Sequence, residues 1–399
     1  MAADPNSDQF FSSSLSRRGE VEPFYAMDIL AKANRLKQEG ENISFLCVGQ
    51  PSAPAPQSAL DAARQHLESG VVSYTDAGGK QDLRSRIARH MFDKYGVELE
   101  ADRVFVTTGS SAGFNLAFLA LFNAGDTVAI ASPGYPAYRN ILKAMSLNVV
   151  EIETTNENRH AITPEALLAA HKNQPIAGIL IASPANPTGT MMTPENLESL
   201  IQCCHENGIR FISDEIYHGL SYGEDTGLRE ATALEFSDDV VVINSFSKYY
   251  CMTGWRIGWM VLPKDLVRPI ERLAQSLYIS APELSQIAAM HALDGSHALE
   301  ATRQSYRANR ELLLERLPQL GFVNMPPIDG AFYAYADASN HTNDTMDLCH
   351  RILEQAHVAI TPGVDFDINN GHRFVRISFA GQYDDIVGAL DRMEKLLVL

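Results

Sequence analysis

Cysteine is scarce in this chain. Cys47, Cys203, Cys204, Cys251 and Cys349 are the five in 399 residues. An odd number, widely scattered and without a Cys-x-x-Cys pair, excludes a disulfide framework. Cys203 and Cys204 are adjacent in a helical stretch and cannot both face one metal, so all five read as reduced thiols of a cytoplasmic protein and no metal site is expected. Positive charge is also in deficit. The 32 Lys and Arg face 49 Asp and Glu, a net charge of −17, and that field repels nucleic acid and anionic membranes. No window approaches about eighteen uninterrupted apolar residues, which excludes a membrane-spanning helix. The first twenty residues are polar and Ser-rich and lack the apolar run of a secretion signal. No repeat or low-complexity tract interrupts the chain.

What remains is a globular composition, 45% hydrophobic and 20% charged, in a chain long enough for two domains. Short β-branched runs, Val104–Thr108, Thr127–Ala131, Ile176–Ala182, Ile209–Ser213, Val240–Asn244 and Gly258–Leu262, read as strands. Helical segments lie among them at Ala112–Phe122, Ala137–Ala144, Pro194–Asn207 and Asp265–Leu277. This alternation predicts an α/β fold, a large domain with a mostly parallel sheet wrapped by helices. Beyond it, Ser285–Leu317 reads as one long helix. The strands Phe332–Tyr335, Val358–Ile360 and Phe374–Phe379 and the helix Asp384–Leu397 read as a smaller α+β domain. The expected division is 51–285 for the large domain, 21–50 (one helix over 21–40) with 286–399 for the small one, and 1–20 as an N-terminal arm.

Open parallel sheets bind ligands beyond the carboxyl ends of their strands. The residues there are Gly109-Ser110-Ser111-Ala112-Gly113, Ser132-Pro133-Gly134-Tyr135, Asn186-Pro187-Thr188-Gly189, Asp214 with Tyr217, and Ser245-Phe246-Ser247-Lys248. Arg256 precedes the strand at 258. All share one sheet edge if the strands are parallel. Together they supply a phosphate cradle, an aromatic ring, an amide, a carboxylate, a phenol, hydroxyls, an amine and a guanidinium. That set suits a planar, phosphorylated heteroaromatic aldehyde.

Singly, each piece has a plainer reading. The Gly109–Gly113 turn can aim backbone amides and a helix N-terminus at a phosphate, or it can be an ordinary strand-to-helix turn. Gly109-x-Ser111-x-Gly113 also matches the nucleophile elbow of serine hydrolases. Ser111 would then need an acid such as Asp337 or Asp365 and a base such as His372, and Lys248 and Asp214 would have no task. Asp214 can be a helix cap; beside a pyridine ring it would keep the ring nitrogen protonated. Lys248 ends an apolar strand among hydroxyls, with Arg256 eight residues on, and a desolvated lysine near cations has a lowered pKa and forms Schiff bases. Arg376 lies in a strand where it either faces water or grips a carboxylate.

Taken in order, Asn186-Pro187-Thr188-Gly189, Asp214-Glu215-x-Tyr217, Ser245-x-Ser247-Lys248 and Gly254-Trp255-Arg256-x-Gly258 closely resemble the fold-type I, class I/II pyridoxal-phosphate aminotransferases. The resemblance runs from about Phe24 to the C-terminus. It implies pyridoxal 5′-phosphate as cofactor, bound covalently to Lys248, with Asp214 on the pyridine nitrogen. Asn186 and Tyr217 would bond the ring hydroxyl and Tyr135 would stack on the ring. Backbone amides of Ser110, Ser111 and Ala112, with Ser245, Ser247 and Arg256, would hold the phosphate. Tyr74 would reach the phosphate of a neighbouring subunit, making a homodimer with shared active sites. Gly49 and Arg376, with Asn186, would contact the substrate.

The chemistry so implied moves an amino group from an L-amino acid to a 2-oxo acid by a ping-pong path, with Lys248 as the proton-transferring base. A lyase or aminocyclopropane-carboxylate-synthase-like enzyme would keep the same residues and differ only in the fate of the carbanion. Some aspartate-using subgroups carry a Lys in the phosphate turn where this chain has Ser111. That weakens the case for a dicarboxylic donor. Tyr25, Phe332 and Tyr333 either line an apolar pocket for a neutral side chain or pack in the core.

Overall fold

The computed structural model describes residues 16–398, so most of the expected 1–20 arm lies outside the described residues. After a short strand, β1 (Ser44–Phe45), the chain builds a seven-stranded sheet. Its strands are β2 (Val104–Thr107), β3 (Thr127–Ser132), β4 (Asn148–Glu153), β5 (Gly178–Ala182), β6 (Arg210–Asp214), β7 (Val241–Ser245) and β8 (Gly258–Val261). The spatial order is β2-β8-β7-β6-β5-β3-β4. Strands β2, β5, β7 and β8 are almost wholly buried, as expected of strands covered on both faces, which read as continuous apolar runs. One face packs on Leu83, Ile87, Leu197 and Leu200. The other packs on Phe114, Phe118, Leu142 and Ile270.

The α/β architecture is as expected, with one difference in direction. β8 runs antiparallel to both neighbours, Gly258 standing opposite Ser245 on β7 and Thr107 on β2. Arg256 reaches the ligand-binding edge because of this reversal; a parallel β8 would have carried it to the far side.

A second, antiparallel sheet joins β9 (Tyr333–Asp337), β11 (Thr361–Pro362) and β12 (Phe374–Ser378), while β10 (Val358–Ala359) pairs with β1. Its core gathers Ile29, Leu313, Leu353 and Ile386. The long helix expected over 285–317 is two helices, Glu283–Ala292 and Ser296–Gln319. The break follows from Asp294-Gly295. A Cβ on Gly295 would lie 2.7 Å from the Pro56 side chain, so the chain turns where the Gln57–Glu68 helix packs against it. The helices Gln57–Glu68, Gln81–Tyr95, Pro164–Asn173 and Thr345–Ala356, and strand β4, are additions to the sequence reading. Thr163 and Thr193 cap their helices by accepting from the amides of Ala166 and Asn196, each with Pro at the first turn.

Candidate active site

A cavity of about 260 Å³ lies between the two sheets. Its lining includes Gly49, Ser110, Ser111, Tyr135, Asn186, Asp214, Tyr217, Ser247, Lys248, Arg256 and Arg376. These come from separate loops at one sheet edge and from β12, so the fold converges them.

Asp214 ends β6 and is buried. Tyr138 donates its phenolic proton to Oδ2, and the Ile216 amide donates to Oδ1 at 3.0 Å. Burial pushes its carboxyl up to about 6, against the opposing pull of those two donors. Both partners are neutral, and a buried carboxylate so placed is best satisfied by a cation.

Lys248 follows β7. Its Nζ donates to the Gly49 carbonyl at 2.6 Å and lies 5.8 Å from the centre of the Tyr217 ring. Burial lowers its amine to about 8; Arg376 and Arg256 push the same way and Asp214 opposes them. Such an amine is neutral often enough near pH 7–8 to act as nucleophile and base. Tyr217 shares a 2.8 Å hydroxyl contact with Tyr333, and burial raises its phenol well above the ordinary value.

Arg376 is clamped by the Tyr333 and Phe366 rings, 4.5 and 4.8 Å from the guanidinium carbon. Nη1 donates to Asn186 Oδ1 at 2.9 Å, and Nη2 to the Cys47 carbonyl at 2.7 Å. Nε is buried without a partner. Nη2 also donates to Thr361 Oγ1 at 3.3 Å, so Nε and one Nη1 proton remain on a rigid fork suited to a carboxylate.

The phosphate end is built from steric necessity. Gly109 has φ +73°, and a Cβ there would lie 2.3 Å from Arg256 Nη2. A Cβ on Gly258 would lie 2.7 Å from the Asn244 carbonyl and 3.1 Å from the Ser110 amide nitrogen. Glycine at both positions lets the helix N-terminus and Arg256 crowd one anion-sized site. Arg256 Nη1 is anchored on the Thr253 carbonyl at 3.1 Å. Buried carboxylate, pocket amine, donor-rich helix terminus and guanidinium together fit pyridoxal 5′-phosphate.

The family model for aminotransferase class I and II matches residues 41–392. The chain belongs to the class I and II aminotransferases. It is 46% identical over 379 residues to a valine–pyruvate aminotransferase of Mycobacterium tuberculosis, covering 94% of this chain and 96% of that one. It is 32% identical to an aspartate aminotransferase of Thermotoga maritima, over 96% and 99% of the two chains. Among solved structures, an aminotransferase from M. tuberculosis superposes with a TM-score of 0.94 at 44% identity, covering 97% and 99%. The Thermus thermophilus aspartate aminotransferase with maleate superposes with 0.89 at 31%, covering 97% and 100%. The family depends on pyridoxal phosphate.

In this aminotransferase some expected residues stand elsewhere. Ser245 does not line the cavity; its hydroxyl is engaged by Ser247 Oγ at 2.8 Å and the Ile257 carbonyl at 3.0 Å, so it supports Ser247 from behind. Ala112, expected to contribute its backbone amide, lies in the first turn of the Gly109–Leu121 helix with its side chain buried. Tyr74, expected to serve a neighbouring subunit, is 80% exposed and outside the cavity of its own chain. Tyr333 lines the cavity, but Tyr25 and Phe332 do not; Phe332 is core, edge-on to Tyr217 and Tyr306. The apolar wall is instead Phe24, Ala26, Met27 and Leu30. The alternative reading of Ser111 as a hydrolase nucleophile fails, because among the described residues no histidine lines the cavity. Asp337 is taken by Ser339 and Arg373, and Asp365 by backbone amides. Tyr138 carries no motif that marks it in the sequence; only its hydrogen bond to Asp214 reveals it. Among the described residues no cluster of three or more metal-ligating side chains occurs. All five cysteines are free and buried.

Proposed function

We propose that this aminotransferase takes the amino group of a neutral, apolar L-amino acid and passes it to a 2-oxo acid by a ping-pong path, with pyridoxal 5′-phosphate bound to Lys248. The observation that carries the reading is the single cavity shared by the Lys248 amine, the Asp214 carboxylate and the Arg376 guanidinium. When bound, the cofactor supplies an aldehyde that bonds amines and a ring that takes up the electron pair left at the substrate Cα.

Each residue then has a task. Asp214, supported by Tyr138, holds the ring nitrogen protonated. Ser247, Arg256 and the first amides of the Gly109–Leu121 helix bind the phosphate. Asn186 and Tyr217 hold the ring hydroxyl, and Tyr135 stacks on the ring. Arg376 orients the substrate by its α-carboxylate, and Lys248, once its amine is free, takes and returns the Cα proton at Nζ. A neutral donor is favoured because, among the described residues, the cations in the lining are Lys248, Arg256 and Arg376, each with a task already, while Phe24, Ala26, Met27 and Leu30 form an apolar wall. The name of the valine–pyruvate relative points the same way.

We also read residues around 51–285 as the cofactor-binding domain and 21–50 with 286–399 as the domain that contributes Arg376. The Glu283–Ala292 helix spans that boundary and shares the core of the large sheet. The exposed Val71, Val72 and Tyr74 support a homodimer in which Tyr74 serves the neighbouring site. Free, buried cysteines support the cytoplasm; among the described residues no helix is long and apolar enough to cross a membrane.

Mixing holoenzyme with valine, without any 2-oxo acid, tests the reaction class. One equivalent of 2-oxo acid per site, followed by a halt, is the expected result. Continuous product without an acceptor would instead mean a lyase.

A further inference from the structure

Asp365 is buried, and its partners give it a defined task. Oδ1 accepts from the Tyr25 amide at 2.8 Å and Oδ2 from the Ala26 amide at 2.7 Å. These are the first two amides of the Tyr25–Gln38 helix, whose own N-cap residue, Phe24, offers no side-chain cap. The cap therefore comes from a residue 340 positions away. A carboxylate at this end also meets the positive pole of the helix dipole.

The capped turn sits at a crossing. Before it, the chain leans on the Pro136–Ala144 helix and the turn after it: Asn140 Nδ2 donates to the Glu22 carbonyl at 3.0 Å, and Arg18 Nε to Ser146 Oγ at 3.1 Å. After it, Ile29 and Ala33 enter the core of the second sheet. Between these anchorages Phe24, Ala26, Met27 and Leu30 border the active-site cavity. The residue next to the cap, Phe366, is one of the two rings clamping Arg376, and its carbonyl accepts from Gly134, one residue before Tyr135, at 2.9 Å. One dipeptide thus joins the apolar wall, the carboxylate fork and the stacking loop.

We propose that Asp365 is a positioning residue for donor selection: it fixes the first turn of the Tyr25–Gln38 helix so that Ala26, Met27 and Leu30 form the wall against which the donor side chain packs. The proposal rests on the reading of Arg376 as the carboxylate site. Its consequence is selective. A branched apolar donor needs the wall in place, whereas alanine, with a single methyl, makes little use of it.

The test compares holoenzyme of the wild type, Asp365→Ala and Asp365→Asn by hydrogen–deuterium exchange and by steady-state kinetics with valine and alanine. In Asp365→Ala, exchange over residues 25–28 should quicken about tenfold, and KM for valine should rise about tenfold, the order a lost cap is worth. The kcat for valine and the KM for alanine should change less than about threefold. Asp365→Asn, which keeps one acceptor, should fall between, and it carries the test if the Ala variant does not fold. Unchanged exchange in both variants, or equal losses for the two donors, overturns the proposal. If the wild type transfers no amino group from either donor, the reading of the site fails, while the exchange result still decides whether Asp365 holds the turn.

Discussion

Tyr138 and Asp214 are joined by a hydrogen bond between the Pro136–Ala144 helix and the end of β6, the phenol donating to the carboxylate. Nothing in the spacing of the two residues suggests it, yet it opposes the burial that drives the carboxyl upward. Tyr138→Phe should raise the Asp214 pKa further and weaken its hold on a protonated ring. A hydrogen bond to a charged group is worth about 1.5–3 kcal/mol. Cofactor dissociation measured by equilibrium dialysis should therefore increase roughly tenfold or more. An unchanged dissociation constant would show that Asp214 needs no support from the phenol.

Arg376→Lys keeps the charge and loses the fork. Two charge-assisted bonds of about 1.5 kcal/mol or more each are at stake, so kcat/KM for amino acids should fall about 10²-fold or more. Cofactor content should not change. Steady-state kinetics beside cofactor quantitation separate the two effects, and a lysine variant with full activity would contradict the assignment.

Gly109→Ala places a Cβ 2.3 Å from Arg256 Nη2 on a backbone with φ +73°. The left-handed backbone alone costs about 1–2 kcal/mol for a side-chain-bearing residue, and Arg256 must also move. The variant should lose cofactor on dialysis that the wild type survives. Retention at the wild-type ratio would remove the phosphate site from this turn.

The Lys248 amine offers a pH test. Its folded value of about 8 lies below the roughly 10.4 of an unfolded lysine. Between these values the folded protein binds fewer protons than the unfolded chain, so stability rises with pH through that window; below it, charging the buried amine costs stability. Denaturation of cofactor-free wild type and Lys248→Met from about pH 7 to about pH 10.5 should give a difference that climbs with pH. A flat difference contradicts a desolvated amine.

Much of this was legible before folding because the chemistry sits where apolar strands end. β5, β6 and β7 read as buried runs, and Asp214 and Lys248 follow from them. The half-exposed edge strand β4, with Glu151 and Glu153, gives no such run and escaped. The direction of β8 is a matter of pairing, which no single strand records. On β9, Tyr333 faces the cavity while its neighbour Phe332 packs in the core. The phase of that alternation depends on where the sheet lies, so residue type alone cannot assign it. Tyr138 and the Phe24–Leu30 wall occupy helical positions that read as ordinary packing, and only the convergence of distant segments gives them a role.

The most direct measurement is borohydride reduction of the holoenzyme followed by peptide mapping. The account predicts a single cofactor-modified lysine, Lys248, and no modification in Lys248→Ala. A reduced adduct on any other residue, or none, would contradict it.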